Sequence, residues 1–344
     1  AGISLAVVQF CFIPVHILPD QAGQLRGSRL LFGPSSQLNI PGYLLIRTFL
    51  NNKTETKSQI HHHILGKISP FFQIFQHPFD ILTQISHHVV QCILDLRLFY
   101  IFIFFFGIVI GSFLNVCIYR IPKHEDIVKT RSHCMSCGYQ LKWYDMFPVF
   151  SYLFLRGRCR KCHAKLSVQY PLIETANGIL YVMIVWIHGM TITSILYCLL
   201  VSALLVISVI DFRTFEIPLG INIFILILGI VRVATDFTCV LDYVIGFLSV
   251  SVVLAILYYA SKGRAIGGGD VKLMAVCGLV LGWKLVLLAF FLGCILGSVI
   301  HIIRMKAFGA DRVLAMGPYL SLGVLLAVLW GNTMIQWYMG LLGF

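Results

Sequence analysis

Seven acidic residues stand in or beside the long apolar runs of this chain: Glu174, Asp211, Glu216, Asp236, Asp242, Asp270 and Asp311. Two of them bear most directly on chemistry. Asp211 ends the run VSALLVISVI, and Asp270 opens VKLMAVCGLVLGW immediately after Gly267-Gly268-Gly269. An ionisable group at the edge of a membrane segment is costly to keep and is by default a functional candidate. Two carboxylates held close together cannot both ionise, so one keeps a proton while the other acts as a base. The base activates a water and the acid polarises a scissile carbonyl, which is peptide hydrolysis without metal or covalent intermediate. The three glycines would let an extended substrate backbone approach. A plainer reading stands beside this one: both aspartates are helix-end residues, and Asp270 caps the helix that follows it. Asp236 and Asp242 flank a turn, where a solvated carboxylate needs no special reason, and Asp311 lies among basic residues.

A second group of residues is suited to metal binding. Cys134-x-x-Cys137 and Cys159-x-x-Cys162 are separated by 21 residues. That is close to the paired spacing of a tetrahedral zinc site, in which each pair presents two thiolates to one ion. Arg158, Arg160 and Lys161 flank the second pair and favour thiolate over thiol. A small segment with little apolar core uses such an ion to fold. A dithiol redox pair and four unrelated thiols are the alternatives. The other seven cysteines (Cys11, Cys92, Cys117, Cys198, Cys239, Cys277 and Cys294) have no partnered spacing and read as small apolar residues. His133 and His163 adjoin the pairs, but four cysteines suffice.

The elements that must position these groups are membrane helices. Of the 344 residues, 58% are hydrophobic and only 12% are charged, about half the charged fraction of soluble domains. Apolar runs near the length of a bilayer crossing place spans at 98–119, 172–189, 191–210, 217–234, 239–260, 271–283, 285–303 and 317–338. The fold class is therefore an all-α polytopic membrane protein of about eight transmembrane helices. A small zinc-knuckle domain lies between the first two.

The net charge of +12 reads as topology rather than as a nucleic-acid surface. Segment 120–171 alone holds ten Lys and Arg residues. Arg213, then Lys262 and Arg264, then Arg304, Lys306 and Arg312 occupy alternate loops, and the intervening loops are nearly free of basic residues. By the positive-inside rule the cysteine domain and the loops carrying Asp211 and Asp270 face the cytoplasm, and the C-terminus faces out.

Residues 1–97 read differently from the rest. They are mixed, carry scattered prolines and the run His61-His62-His63, and show no clear helical period. Residues 1–19 lack charge and fit a signal-like segment, an interfacial segment or a poor span. The three histidines read as incidental, and the whole stretch reads as an extension of unknown role and little order. The organisation expected from sequence is thus 1–97 as extension, 98–119 as first span, 120–171 as cytoplasmic cysteine domain and 172–344 as membrane peptidase domain.

From about Leu98 to the C-terminus these motifs together resemble the type IV prepilin peptidases, membrane aspartic proteases of the G-x-G-D type. The resemblance rests on Gly111-Ser112-Phe113-Leu114-Asn115-Val116 and Arg120-Ile121-Pro122. It continues through the two C-x-x-C pairs, with Ser151-Tyr152-Leu153 and Leu155-Arg156-Gly157-Arg158-Cys159. It is completed by Tyr170-Pro171-Leu172-Ile173-Glu174, Asp211 with Ile217-Pro218, Gly267-Gly268-Gly269-Asp270-Val271-Lys272 and Gly317-Pro318. It implies cleavage of the basic leader of prepilins and pseudopilins after a glycine, at the cytoplasmic face of the bacterial inner membrane, with Asp211 and Asp270 as the dyad. It also implies methylation of the new N-terminal amine from S-adenosylmethionine, with Gly157 and Arg158 at positions tied to methyl transfer. No glycine-rich nucleotide fingerprint marks a donor pocket. Prepilins and membrane lipid are the expected partners. Nucleic acid is not, and the sequence specifies no oligomeric state.

Two rival readings remain at this stage. A presenilin-like intramembrane protease shares G-x-G-D but needs no zinc domain. A zinc-bearing receptor or transporter without enzymatic activity would place polar residues at mid-span, where this chain is nearly all apolar.

Overall fold

In the computed structural model the residues described are 90–343, apart from 92–93, 128–130, 143–144, 146, 265 and 309–313. The readings made for residues 1–89, including His61–His63 and Cys11, and those for Cys92, Asp311 and Arg312, lie outside the described residues. Phe99–Phe344 forms one compact unit. It is built from helices, and the described residues contain no strand beyond two isolated bridges.

The helices are α1 (Leu94–Lys123, its last three residues a 3₁₀ turn), α2 (Phe150–Phe154), α3 (Gln169–His188), α4 (Ile192–Thr214), α5 (Leu219–Thr235), α6 (Val240–Ala260), α7 (Gly268–Leu281), α8 (Trp283–Phe308) and α9 (Gly317–Leu341). Their ends follow local chemistry. Thr191 caps α4 by accepting from the Ser194 N–H at 3.1 Å. Pro218 precedes α5, and Pro318 sits in the first turn of α9, where a missing N–H is harmless. Gly189 and Gly282 end α3 and α7 at φ 69° and 82°.

A helix occupies each of the eight stretches expected to cross the membrane, and six of the eight are long and apolar enough to do so. The other two are shorter. α5 has 17 residues and α7 has 14, which for α7 is roughly 21 Å of helix against a hydrocarbon core of about 30 Å. α7 is apolar for a different reason than lipid exposure. It packs against α5, α6, α8 and α9, and Leu273, Met274, Cys277 and Val280 are wholly buried. A helix apolar on every side is a core helix as readily as a span.

Close approach is made possible by small residues. Where α6 crosses α7, a Cβ on Gly278 would fall 2.1 Å from the Gly246 carbonyl oxygen, so the two backbones touch. Polar side chains bridge other helices. Tyr181 of α3 hydrogen-bonds Ser202 of α4 (2.9 Å), Ser202 donates to Asn177 Oδ1 (2.9 Å), and Asn177 Nδ2 donates to the Gly107 carbonyl of α1 (2.7 Å). This buried chain ties three helices together where no water is available to satisfy the groups. On the outside, Phe102, Phe106, Ile227, Val253, Phe291 and others stay exposed, as a lipid-facing surface requires.

Candidate active site

Asp211 lies in the last turn of α4 and is 5% exposed. Asp270 lies in the first turn of α7 and is 8% exposed. The fold brings them to the same end of the bundle, within electrostatic reach of each other. α4 and α7 are not adjacent in sequence. They are held by α5, which packs on both, and by α9, which packs along α4 and touches α7.

The two carboxylates are differently partnered. Asp211 Oδ2 accepts the backbone N–H of Gly317 at 2.9 Å. Gly317 is the first residue of α9, and a Cβ there would sit 2.7 Å from that same oxygen, so only glycine lets the N–H approach. Asp270 interacts with the backbone N–H of Gly267, the residue that precedes α7. This is the reach-back half of a capping box. The capping expected of Asp270 is therefore present, and it uses only part of the carboxylate. Asp270 Oδ1 is buried and has no hydrogen-bond partner among the described residues.

The three glycines do separate work in the folded chain. A Cβ on Gly269 would lie 3.0 Å from Ile217 Cβ, and one on Gly267 would lie 3.1 Å from Asp270 Oδ2. One on Gly268 would meet nothing closer than the Tyr258 ring at 3.6 Å. Gly269 thus lets the Ile217-Pro218 turn that leads out of α4 pack against the start of α7. In the sequence Gly317 belongs to the Gly317-Pro318 motif, which assigns it no role of its own. The one signal available was a glycine before Pro318 at the head of an apolar run.

The cysteine domain sits at the same end. Tyr119 at the end of α1 stacks on Tyr170 at the start of α3 (5.6 Å, 10°). Arg213, two residues beyond Asp211, lies 5.4 Å over the Tyr119 ring and also hydrogen-bonds Gln169. The cation–π contact and the hydrogen bond join the root of the cysteine domain to the helix that carries Asp211.

Within that domain the two C-x-x-C turns are copies of each other. The Cys134 N–H donates to the Tyr139 carbonyl and Gly138 N–H to the Cys134 carbonyl. Likewise Cys159 N–H donates to Ala164 and His163 N–H to Cys159, all at 2.9–3.0 Å. Gly138 and His163 hold the equivalent left-handed position, at φ 67° and 56°. The four sulfurs lie within 4.8 Å of one another, and Cys134 Sγ is 3.8 Å from Cys162 Sγ. Four sulfurs at about 2.3 Å from a tetrahedral ion are about 3.8 Å apart, so the set fits zinc. The Cys134 thiol is pushed down to about 6, chiefly by the Ser136 backbone N–H. His133 and His163 are not in the cluster.

Gly157 is buried at φ 67°, its N–H donates to the Tyr152 carbonyl at 2.8 Å, and a Cβ would fall 2.8 Å from Tyr152 Oη. The knuckle therefore requires glycine there for structural reasons. Arg158 is exposed, and no packing requirement accounts for it.

Comparison with known proteins agrees with this arrangement. Residues 105–188 match the family described as Bacterial Peptidase A24 N-terminal domain. Residues 198–302 match the Type IV leader peptidase family. Among curated relatives, the chain is similar to a prepilin leader peptidase/N-methyltransferase of Pseudomonas putida, 30% identical over 269 residues, covering 69% of this chain and 93% of the relative. Proteins of the same name from Pectobacterium carotovorum subsp. carotovorum (34% identical over 249 residues, 63% of this chain and 88% of the relative) and Bacillus subtilis strain 168 (31% over 251 residues, 69% and 96%) are similar too. No solved structure matches.

The geometry of the four thiols generates one expectation. Metal analysis of the purified full chain should give close to one zinc per chain, and Cys134→Ser with Cys137→Ser should reduce it severalfold. A metal-free, folded wild type would contradict the assignment.

Proposed function

Because the chain belongs to the type IV leader peptidase family, we propose that it cleaves the leader peptides of type IV prepilins or pseudopilins by a two-aspartate mechanism and then N-methylates the new N-terminus. The observation that carries this reading is the meeting of Asp211 and Asp270, both buried, at the end of the bundle that also bears the cysteine domain. The readings as a presenilin-like protease of other substrates and as a non-enzymatic receptor or transporter are not favoured by that family membership.

In the proposed reaction Asp211 is the base. The Gly317 N–H favours its ionised form and fixes its orientation. Asp270, whose Oδ1 has no partner among the described residues, supplies the proton. Asp211 takes a proton from water, the water oxygen adds to the scissile carbonyl carbon, and the carbonyl oxygen takes the proton from Asp270. The tetrahedral intermediate collapses with cleavage of the C–N bond: the amine leaves with the proton held by Asp211, and one hydroxyl of the intermediate returns its proton to Asp270, which restores the pair. Gly268, the most open of the three glycines, would lie along the substrate backbone.

Six helices long and apolar enough to cross a bilayer, together with the bacterial relatives, support a multi-pass protein of the inner membrane. The excess of Lys and Arg at the cysteine-domain end supports that end facing the cytoplasm. A prepilin whose apolar helix lies in the bilayer and whose basic leader stays in the cytoplasm would present its cleavage site at the depth of the two aspartates. In this reading 98–119 is the first span, 120–171 the zinc-bearing cytoplasmic domain and 172–344 the peptidase, with residues 1–97 unassigned. The relatives' name includes N-methyltransferase, so S-adenosylmethionine is the proposed methyl donor. Arg158 rather than Gly157 is the better candidate for a direct part in that step, since Gly157 answers a backbone requirement.

Two measurements test this reading. Purified protein incubated with a prepilin peptide and labelled S-adenosylmethionine should release the leader and label the new N-terminus. No cleavage would overturn the peptidase reading, and cleavage without label would overturn the methyltransferase half alone. Gly317→Ala should lower the cleavage rate by roughly 10- to 100-fold, the scale of a catalytic group displaced by about 1 Å, while labelling of an already cleaved peptide is retained. An unchanged cleavage rate would remove Gly317 from the site.

A further inference from the structure

The most exposed apolar cluster of the cysteine domain lies at residues 147–155, where neither the zinc cluster nor the aspartates account for it. Phe147 is 56% exposed, Leu153 65% and Phe154 85%. A small zinc domain standing in water would gain nothing from such a surface.

Its location in the fold is unexpected for a domain inserted after the first span. The Phe150 ring stacks on Phe105 of α1, with centroids 6.0 Å apart and planes at 23°, and Phe147 packs edge-on against Phe150 at 6.1 Å. Phe105 is not near the end of α1 from which the domain emerges. It lies fifteen residues before Arg120, about 22 Å of helix, inside the apolar run 98–118. Its neighbours Phe102 and Phe106 are exposed on the lipid-facing side. Allowing for the ring separation, Phe150 still lies roughly 16 Å back along α1 from its end.

A buried acid fixes the segment there. Glu174, 5% exposed, accepts the Val149 N–H at 2.7 Å, and its Cα lies 2.7 Å from where a Cβ on Gly111 would be. The Val149 backbone has a positive φ, 58°, with ψ −52°, the geometry of a γ-turn closed by the Phe150 N–H on the Pro148 carbonyl. For a β-branched residue this conformation is costly, and it persists only where the surroundings impose it. Here it turns the chain sharply, with Glu174 holding the turn between α1 and α3.

The backbone is also prepared for an apolar medium. Pro148 has no N–H. The N–H groups of Phe150, Ser151, Leu153 and Leu155 donate to the carbonyls of Pro148, Phe147, Val149 and Ser151, and that of Val149 goes to Glu174. Non-helical backbone at membrane depth is tolerated only when its polar groups are satisfied internally. Immediately after the segment, Arg156, Arg158, Lys161 and Lys165 are all exposed. An apolar surface bordered by cations is the pattern of an element lodged in an anionic membrane interface.

We propose that residues 147–155 form a re-entrant lipid-binding wedge, whose apolar side chains insert into the bilayer beside α1 while the basic residues that follow meet anionic headgroups. The wedge gives the cysteine domain a second attachment to the membrane besides α1 and α3. It holds the zinc cluster close to the membrane end where Asp211 and Asp270 meet, rather than leaving it on a free tether. The partner is the host bilayer itself, and the surface is continuous with the lipid-facing face of α1.

The full chain, reconstituted in vesicles of mixed neutral and anionic phospholipid, tests this with the photoreactive residue p-benzoylphenylalanine placed singly at position 154, at position 102 and at position 140. Phe154 is 85% exposed, so its replacement by this larger aromatic leaves the packing unaltered. Position 102 supplies the lipid-facing reference, and position 140, an exposed glutamine outside the basic run, the solvent-facing one. Lipid adducts at 154 are expected within about threefold of those at 102 and at least about tenfold above those at 140, as for a side chain buried in the acyl boundary. A yield at 154 no higher than at 140, with 102 labelled normally, would overturn the proposal. So would adducts at 154 formed mainly with an added prepilin peptide or with a second copy of the chain.

Discussion

Burying two carboxylates at one end of an apolar helix bundle, within electrostatic reach of each other, removes the water that would otherwise solvate both, and much of this architecture follows from that constraint. Asp211 and Asp270 are each brought to the end of a helix, where backbone N–H groups stand available. Asp211 is served by Gly317 N–H from another helix, and Asp270 by Gly267 N–H from its own. The first solution needs glycine, because a side chain at 317 would occupy the space taken by the carboxylate, and at 267 a Cβ would lie a tight 3.1 Å from Asp270 Oδ2. The helix that carries Asp270 is correspondingly short and largely enclosed by protein. Its glycine contact with α6 lets it sit deep enough for its N-terminal turn to meet the end of α4.

The cysteine domain solves a different problem with different means. It has almost no apolar core, and the described residues show two copies of one tight turn aiming four sulfurs at a common centre. Polar and aromatic contacts fasten it to the membrane bundle. Glu174 holds one side, and the Tyr119, Tyr170 and Arg213 stack holds the other. Arg213 follows Asp211 by two residues, so the position of the domain and the position of that carboxylate share a single helix end.

Much of this was legible in the chain. The pairing of C-x-x-C motifs and the isolation of two acids at helix edges both point to their sites by residue type and spacing alone. The helix locations follow from the apolar runs. What composition could not reveal was which apolar helix faces lipid. α7 reads as a span because Leu, Val and Met serve equally well against lipid and against other helices, and only packing shows that Leu273 and Met274 touch protein on every side. The role of Gly317 was hidden for a related reason, since its partner lies 106 residues away and no local pattern announces a backbone donor. Gly157 stood out in sequence as a residue tied to methyl transfer. The fold shows a positive φ and a neighbouring tyrosine that already require glycine there.

The central claim is that Asp211 and Asp270 act as one proton-sharing pair. The most direct measurement is the cleavage rate of a prepilin peptide by purified Asp211→Asn and Asp270→Asn proteins, each in amounts matched to wild type. Each substitution keeps the shape of the side chain and removes its proton chemistry, so each alone should reduce the rate by at least about a hundredfold, the low end for loss of a general acid or base. Since the two act as a unit, the double variant should be hardly worse than either single one. Full processing by either single variant, or losses that multiply in the double variant, would contradict the account.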